Sequence, residues 1–312
     1  MALKANKAVL LILKICISSG LLYLVLSRTG LDRVFLVMRH LSPAAFFFAI
    51  ALYVFAQFIS TVRWKLLLPG EMKMRKLFSL YMIGSFFNTF LPGLVGGDAV
   101  KGYYLYQATG KGPLAFASVF MDRYLGLFVM IVISALAFPF GYPYFQGADI
   151  VWLLPAAVAS FFIASILMFG LRLGNRIPML SVFYTSFHAY RNQKNTMAHA
   201  LLLSVVVQFS GFLAVYVLAL GLGQHVPFLS LLVFLPLIIL FTMLPISISG
   251  LGVREGTFVF FFGLIGIKPD AAAAISLSWF LTISAGNLLG LVEYIRYKKE
   301  GLQIHVSGHA GE

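Results

Sequence analysis

The chain has 312 residues, 61% of them hydrophobic, 11% charged and 15% aromatic, with a formal net charge of +13. A soluble domain carries roughly 45–50% apolar and about 25% charged residues, so the apolar surplus here, with a mean hydropathy of +0.94, is more than a water-exposed fold can bury. A water-soluble protein is excluded, and helices of about 20 residues crossing a bilayer are the structures that absorb such a surplus.

The first apolar run, Ala8 to Leu26, follows Lys4 and Lys7 as a signal peptide would. It is too long for an h-region, contains Lys14, which can snorkel to the membrane face, and ends in Leu26-Ser27-Arg28 without a small-x-small cleavage site, so it is expected to remain as a helix. Next, Leu31, Val34, Phe35, Met38 and Leu41 recur at helical spacing among Arg28, Arg33 and Arg39, the pattern of a helix lying in the membrane interface. The second span, Ala44 to Val62, ends at Arg63-Trp64, which reads as an interfacial anchor, with ligand contact as the alternative. Leu77 to Leu91 then stops at a Pro/Gly-rich break. Spans follow over Ala117 to Phe140, Val151 to Leu171 and His199 to Leu222. Phe228 to Leu244 stops at a second break, and Ala271 to Ile295 is the last span, with Glu293 near its end in an ordinary solvated position.

The expected fold is an all-α polytopic integral membrane helix bundle: six spanning helices plus two broken or re-entrant helical hairpins in an inverted-repeat arrangement. It forms one membrane domain over residues 1–299, with a short polar tail over 300–312. The single cysteine, Cys16, gives no disulfide framework, and the six histidines show no ligand spacing, so no metal site and no cofactor are expected.

Lysines and arginines of short loops mark the cytoplasmic side. With a cytoplasmic N-terminus that side receives Lys4 and Lys7, the group from Arg63 to Lys76, Arg172, Arg176, Arg191 and Lys194, and finally Arg296, Lys298 and Lys299. The outer loops Gly141–Ile150 and Gly223–Pro227 hold none, and the exception is the stretch Arg28 to His40, which puts Arg28, Arg33 and Arg39 outside. This assignment closes only if Leu77–Lys111 enters and leaves on the cytoplasmic side while Phe228–Lys268 does so on the outer side. Both termini are then cytoplasmic, and the basic excess points to topology and anionic lipid headgroups rather than to nucleic acid.

The two breaks share a motif. Leu91-Pro92-Gly93 leads to Gly96-Gly97-Asp98 and Val100-Lys101, while Leu244-Pro245 leads through Ser247, Ser249, Gly250 and Gly252 to Val253-Arg254-Glu255, with the basic residue at the same distance from the proline. Broken backbone at membrane depth is tolerated only where it is covered by protein or lines a cavity, and matched breaks in two halves point to a transporter's binding site. An ordinary proline kink is the alternative for each.

Intramembrane charges cluster around these breaks: Asp98, Lys101, Asp122, Arg123, Arg254 and Glu255. Each costs roughly 2.5–3.5 kcal/mol to insert near the bilayer centre. Asp122 and Arg123 are adjacent and cannot pair across one helix, so each needs a partner elsewhere, the break residues first. Lys101, Arg123 and Arg254 are read as surrounding an anionic group, helped by the amides of Gly96-Gly97 and Gly250-Leu251-Gly252, with Asp98, Asp122 and Glu255 balancing the charge. Asn88 stands where it can bond freed backbone or a headgroup. Closed ion pairs that only lock the bundle are the competing reading.

Asn88-x-x-Leu-Pro-Gly-x-x-Gly-Gly-Asp98-x-x-Lys101, Asp122-Arg123-x-x-Gly126 and Leu244-Pro-x-Ser-x-Ser-Gly-Leu-Gly-x-Arg254-Glu255, preceded by Arg63-Trp64-x-x-Leu67-Leu68, resemble the signature of the lysylphosphatidylglycerol synthase transmembrane, or flippase-like, family. The resemblance runs from the first helix to Lys299. It implies a polytopic inner-membrane protein that moves a phospholipid or related lipid between leaflets. Two-domain members carry a soluble aminoacyl-transfer domain after the membrane part. Only a short tail follows Lys299, so that activity is not expected here, and lysylphosphatidylglycerol is not assigned as the substrate.

The leading expectation is therefore a lipid translocase for an anionic or modified phospholipid or a polyprenyl-phosphate-type lipid. No G-x-x-x-x-G-K-[ST] loop exists, so this chain does not hydrolyse ATP by that route. An enzyme acting on headgroups would need a carboxylate pair at ligand spacing or a histidine base beside a break, and neither is present in the sequence. A small-anion transporter or a membrane partner in headgroup metabolism remain the alternatives. The expected partners are membrane lipids, and a separate lipid-modifying enzyme and a second copy of the chain are the protein partners left open.

Overall fold

The computed structural model describes residues 2–68, 72–90, 96–145, 148–170, 194–244, 246–247 and 249–308. The elements are α1 (Ala2–Thr29), α2 (Leu31–Arg39), α3 (Pro43–Leu66), α4 (Met74–Phe90), α5 (Gly96–Thr109), α6 (Gly112–Gly141), a 3₁₀ turn (Tyr142–Phe145), α7 (Leu153–Gly170), α8 (Lys194–Gly221), α9 (Phe228–Thr242), α10 (Val253–Gly263) and α11 (Pro269–Gly308). Among the described residues there is no strand. Prolines begin several of these helices, at Pro43 and Pro269 and within the first turn of α6, where a missing amide hydrogen costs nothing.

Four of the six expected spans, Ala8–Leu26, Ala44–Val62, Ala117–Phe140 and Ala271–Ile295, lie within α1, α3, α6 and α11, while α7 begins two residues after Val151 and α8 ends one residue before Leu222. Among the described residues four helical stretches, Pro43–Leu66, Gly112–Phe145, Lys194–Gly221 and Pro269–Lys298, are long and apolar enough to cross a membrane, while Cys16–Thr29, Leu153–Phe169 and Phe228–Thr242 are shorter apolar helices. Phe47, Phe48, Phe55 and Phe58 on α3, Leu136 and Phe140 on α6, and Ile163 and Ile166 on α7 are exposed, as lipid-facing side chains are. α9 differs. It is apolar all round and buries Leu231, Val233, Phe234, Leu235, Leu237 and Ile238, the pattern of a helix enclosed by others. Its neighbours supply the main core, which includes Phe145, Phe212, Phe258, Phe261 and Phe262.

α4 and α5 form an antiparallel hairpin, because Asn88 faces Gly97 and, one turn away on each helix, Gly84 faces Lys101. A Cβ on Gly97 would collide with the Gly84 carbonyl oxygen, so only glycine lets the two backbones approach this closely. α9 and α10 also pack together, through Phe234 and Phe241 against Phe261. Their connection holds Ser249, Gly250 and Gly252 at φ of 50, 74 and 82°. Pro92, Gly93 and Pro245 lie outside the described residues.

The packing follows a regular scheme. α3 packs on α8, α4 on α11 and α9 on α6, α5 on α6 and α10 on α11, and α6 on α8 as α11 on α3. Exchanging the run α3 to α6 for the run α8 to α11 leaves that set of neighbours unchanged.

Four details add to or change the expectations. α2 is a helix as expected, but Val34 is buried in the bundle, with Met38 and Leu41 packed on the core, while Leu31 and Phe35 face outward. The tail from residue 300 is helical through Gly308. Trp64 is fully buried, its indole N–H donating to Ser118 Oγ at 3.1 Å, so it is a core residue rather than an interfacial anchor. Glu293 accepts hydrogen bonds from Ser79 and, at 3.1 Å, from Arg296. The loop positions Arg172, Arg176 and Arg191 fall outside the described residues.

Candidate functional site

α6 carries adjacent charges that the helix sends in different directions. Asp122 is fully buried and receives three donors: Arg63 Nε at 2.9 Å, Tyr81 hydroxyl at 3.0 Å and Lys101 Nζ at 3.2 Å. Arg63 also donates to Ser204 Oγ at 2.8 Å. The Lys101 ammonium lies 4.0 Å from the Trp64 ring centre and 3.7 Å from that of Tyr81, so cation–π attraction adds to the ion pair. Lys101 and Arg63 are each only 3% exposed. The sequence places Lys101 on the ligand and Arg63 at the interface, with ligand contact as its alternative; the structure places both in this closed cluster, away from the cavity described next, because a buried carboxylate must be compensated.

Arg123 points the other way. Its side chain is 55% exposed and holds Asp98 through Nε at 2.9 and 3.2 Å and through Nη2 at 3.0 Å. Asn88 Nδ2 donates to the same carboxylate at 3.3 Å, while its Oδ1 accepts the Gly97 amide at 2.9 Å. Asn88 thus bonds the backbone freed at the first break.

At the second break, Arg254 donates to Glu255 Oε1 at 3.1 and 2.6 Å and lies 4.5 Å from the Phe280 ring centre. Glu255 reaches back to the Gly252 amide at 2.7 Å, closing the first turn of α10. The amides of Gly97 and Gly252, expected to face an anion, are therefore taken by Asn88 and Glu255, as buried backbone donors require.

Arg123–Asp98 and Arg254 line one cavity of about 770 Å³. Its walls come from both hairpins and from α6 and α11: Phe116, Val119 and Phe120 from α6, Ile239 from α9, and Trp279 and Ile283 from α11, with Asn88, Thr89, Ser247 and Ser249 as polar points. The two breaks touch there, Ser249 Oγ donating to the Thr89 carbonyl at 3.1 Å. Of the three cations expected to meet a ligand, the structure brings two to this space.

A second, smaller chamber of about 150 Å³ shares Asn88, Thr89 and Arg123 with the first and adds Tyr53, Gln57, Tyr81, Ser85 and Asn287. Asn287 donates to Thr89 Oγ1 at 2.6 Å and accepts from the Tyr53 hydroxyl at 2.9 Å, and Gln57 donates to that hydroxyl. The sequence reading passed over this group. Its signal was present in Gln57 and Asn287, amides inside otherwise apolar spans, where a polar side chain is costly enough to need a reason. Among the described residues no group of His, Cys, Asp or Glu side chains gathers as metal ligands.

Apolar outer faces around an internal cavity holding ion pairs define a multi-pass helical membrane protein. The chain belongs to the family of the lysylphosphatidylglycerol synthase TM region, whose model matches residues 11–290. It is similar to a UPF0104 membrane protein of Methanocaldococcus jannaschii, 23% identical over 96% of this chain and 98% of that one. Similar proteins of the same description occur in Pyrococcus horikoshii, 23% identical over 89% of this chain and 96% of the relative, and in Methanothermobacter thermautotrophicus, 24% identical over 77% and 80%. No solved structure matches it.

Proposed function

We propose that the protein is a lipid translocase, carrying an anionic or modified phospholipid, or a polyprenyl-phosphate-type lipid, between the leaflets of the cell membrane. The observation that carries this reading is the composition of the large cavity. Its walls are mostly aromatic and aliphatic, yet Arg123 and Arg254 stand in it. An amphiphile with an anionic head and apolar chains matches both, whereas a small hydrated anion would leave the apolar wall without a partner. Family membership supports a lipid-related membrane role.

In this reading the two hairpins are re-entrant and inverted with respect to each other, and both termini are cytoplasmic. Support comes from the loop charges and from the neighbour scheme, which is unchanged when the two four-helix runs are exchanged. In this reading the lipid moves where the halves join, and the contact between the breaks at Thr89 and Ser249 supports that path. The chain acts as a transporter rather than an enzyme, with membrane lipids as its partners and movement driven downhill or by ions or membrane potential.

Reconstitution in liposomes containing headgroup-labelled lipids tests the proposal, with leaflet-specific quenching as the readout. Protein is expected to accelerate exchange of at least one anionic lipid over empty vesicles. Rates equal to protein-free vesicles for anionic, aminoacylated and polyprenyl lipids alike would sink it.

A further inference from the structure

The smaller chamber is chemically unlike the cavity with which it shares Asn88, Thr89 and Arg123. All eight residues around it are polar, and none of them is acidic. It contains amide and hydroxyl groups, which both donate and accept, together with the guanidinium of Arg123 at the boundary of the two spaces. Arg123 spends Nε and Nη2 on Asp98, and its Nη1 makes no hydrogen bond among the described residues.

We infer that this chamber is a headgroup subsite for a phosphate-bearing lipid whose head beyond the phosphate is small, hydroxylated and uncharged. The inference rests on the translocase reading for the source of the ligand. A phosphate oxygen meets the open Nη1 of Arg123 at the boundary, the acyl or prenyl chains lie along Phe116, Phe120 and Ile283, and the head enters between Gln57, Ser85 and Asn287.

Size and charge define the head. A cavity of about 150 Å³ accommodates a guest of about six non-hydrogen atoms, as benzene fills an engineered hole of that volume. A glycerol unit fits and a hexose or inositol ring does not. A head bearing an ammonium would sit beside Arg123 with no carboxylate in the chamber wall to compensate it, and an uncompensated charge away from water is strongly disfavoured. Hydroxyls suit the wall, because each can donate to one lining group and accept from another.

The test is a binding series on the purified full chain with four dioctanoyl probes, phosphatidylglycerol, phosphatidic acid, phosphatidylethanolamine and phosphatidylinositol, and with soluble glycerol 3-phosphate. Phosphatidylglycerol is expected to bind at least about tenfold tighter than the ethanolamine and inositol lipids, and about three- to tenfold tighter than phosphatidic acid, the increment of one or two neutral hydrogen bonds. Gln57→Met and Ser85→Ala should bring the glycerol and acid lipids to the same affinity, with thermal melting confirming the fold, and Arg123→Gln should weaken every phosphate lipid. Equal binding of all four lipids, or a glycerol preference that survives both chamber variants, overturns the subsite while leaving translocation intact. Glycerol 3-phosphate binding as tightly as its lipid, with the same dependence on Gln57, keeps the subsite and overturns the lipid reading. No binding of any probe overturns the subsite.

Discussion

Arg123 grips the Asp98 carboxylate through two nitrogens, with three contacts between 2.9 and 3.2 Å, and the pair forms part of the wall of the large cavity. Asp98 therefore takes Nε and Nη2, and an anion that meets Nη1 must share the charge of the guanidinium with it. A phosphate that enters the cavity competes with a carboxylate already in place, so the pair sets how tightly the anion is held.

Asp98→Asn should free the guanidinium and tighten binding of an anionic lipid by about tenfold, while slowing its release. Arg123→Gln should weaken the same binding by at least tenfold. Neither variant is expected to unfold the protein, because a pair with one half-exposed member contributes about 1 kcal/mol or less. Lipid titration alongside thermal melting separates the two effects; weaker binding by Asp98→Asn would contradict the competition.

The buried cluster behaves differently. Asp122 faces two cations, so Asp122→Asn strands both Arg63 and Lys101, and a stability loss of about 3–5 kcal/mol is expected. Lys101→Met leaves Arg63 and Asp122 as a balanced pair and should cost much less. Melting temperatures in detergent check this order, and equal losses for the two variants would show that charge balance is not what holds the cluster.

Backbone approach is testable at two glycines. Alanine at Gly97 would press on Gly84, and at Gly252 it would fall 2.6 Å from Leu21 Cβ and 2.8 Å from the Leu22 amide nitrogen, at a φ of +82°. Both variants should lose monodisperse protein or melt far below the parent. Gly211→Ala, which meets nothing within 4 Å, is the matched control and should be neutral or slightly stabilising.

If the contact between breaks moves during transport, locking it should stop the cycle. In a Cys16→Ala background, Thr89→Cys with Ser249→Cys places thiols where Ser249 now bonds the Thr89 backbone. Oxidation is expected to abolish lipid exchange and reduction to restore it. Full exchange by the cross-linked protein would exclude relative motion of the breaks.

The sequence alone determined the all-helical membrane class, because an apolar surplus and its periodicity are local properties of the chain. It also determined the positions of the helices and the two matched breaks, since proline and glycine act on the backbone wherever they stand. The need for partners at Asp122 and Arg123 was legible too, because charges at membrane depth must be compensated, although adjacency alone is no bar to pairing, as Arg254 and Glu255 show. Only the tertiary structure decided which partners they take. Asp122 turns inward to Arg63, Tyr81 and Lys101, and Arg123 turns toward Asp98 and the cavity. That division depends on which face of α6 meets α3, α4 and α5, a matter of packing between segments far apart in sequence. For the same reason Gln57 and Asn287, lying 230 positions apart, became part of one chamber only when α3 and α11 were brought together around α4.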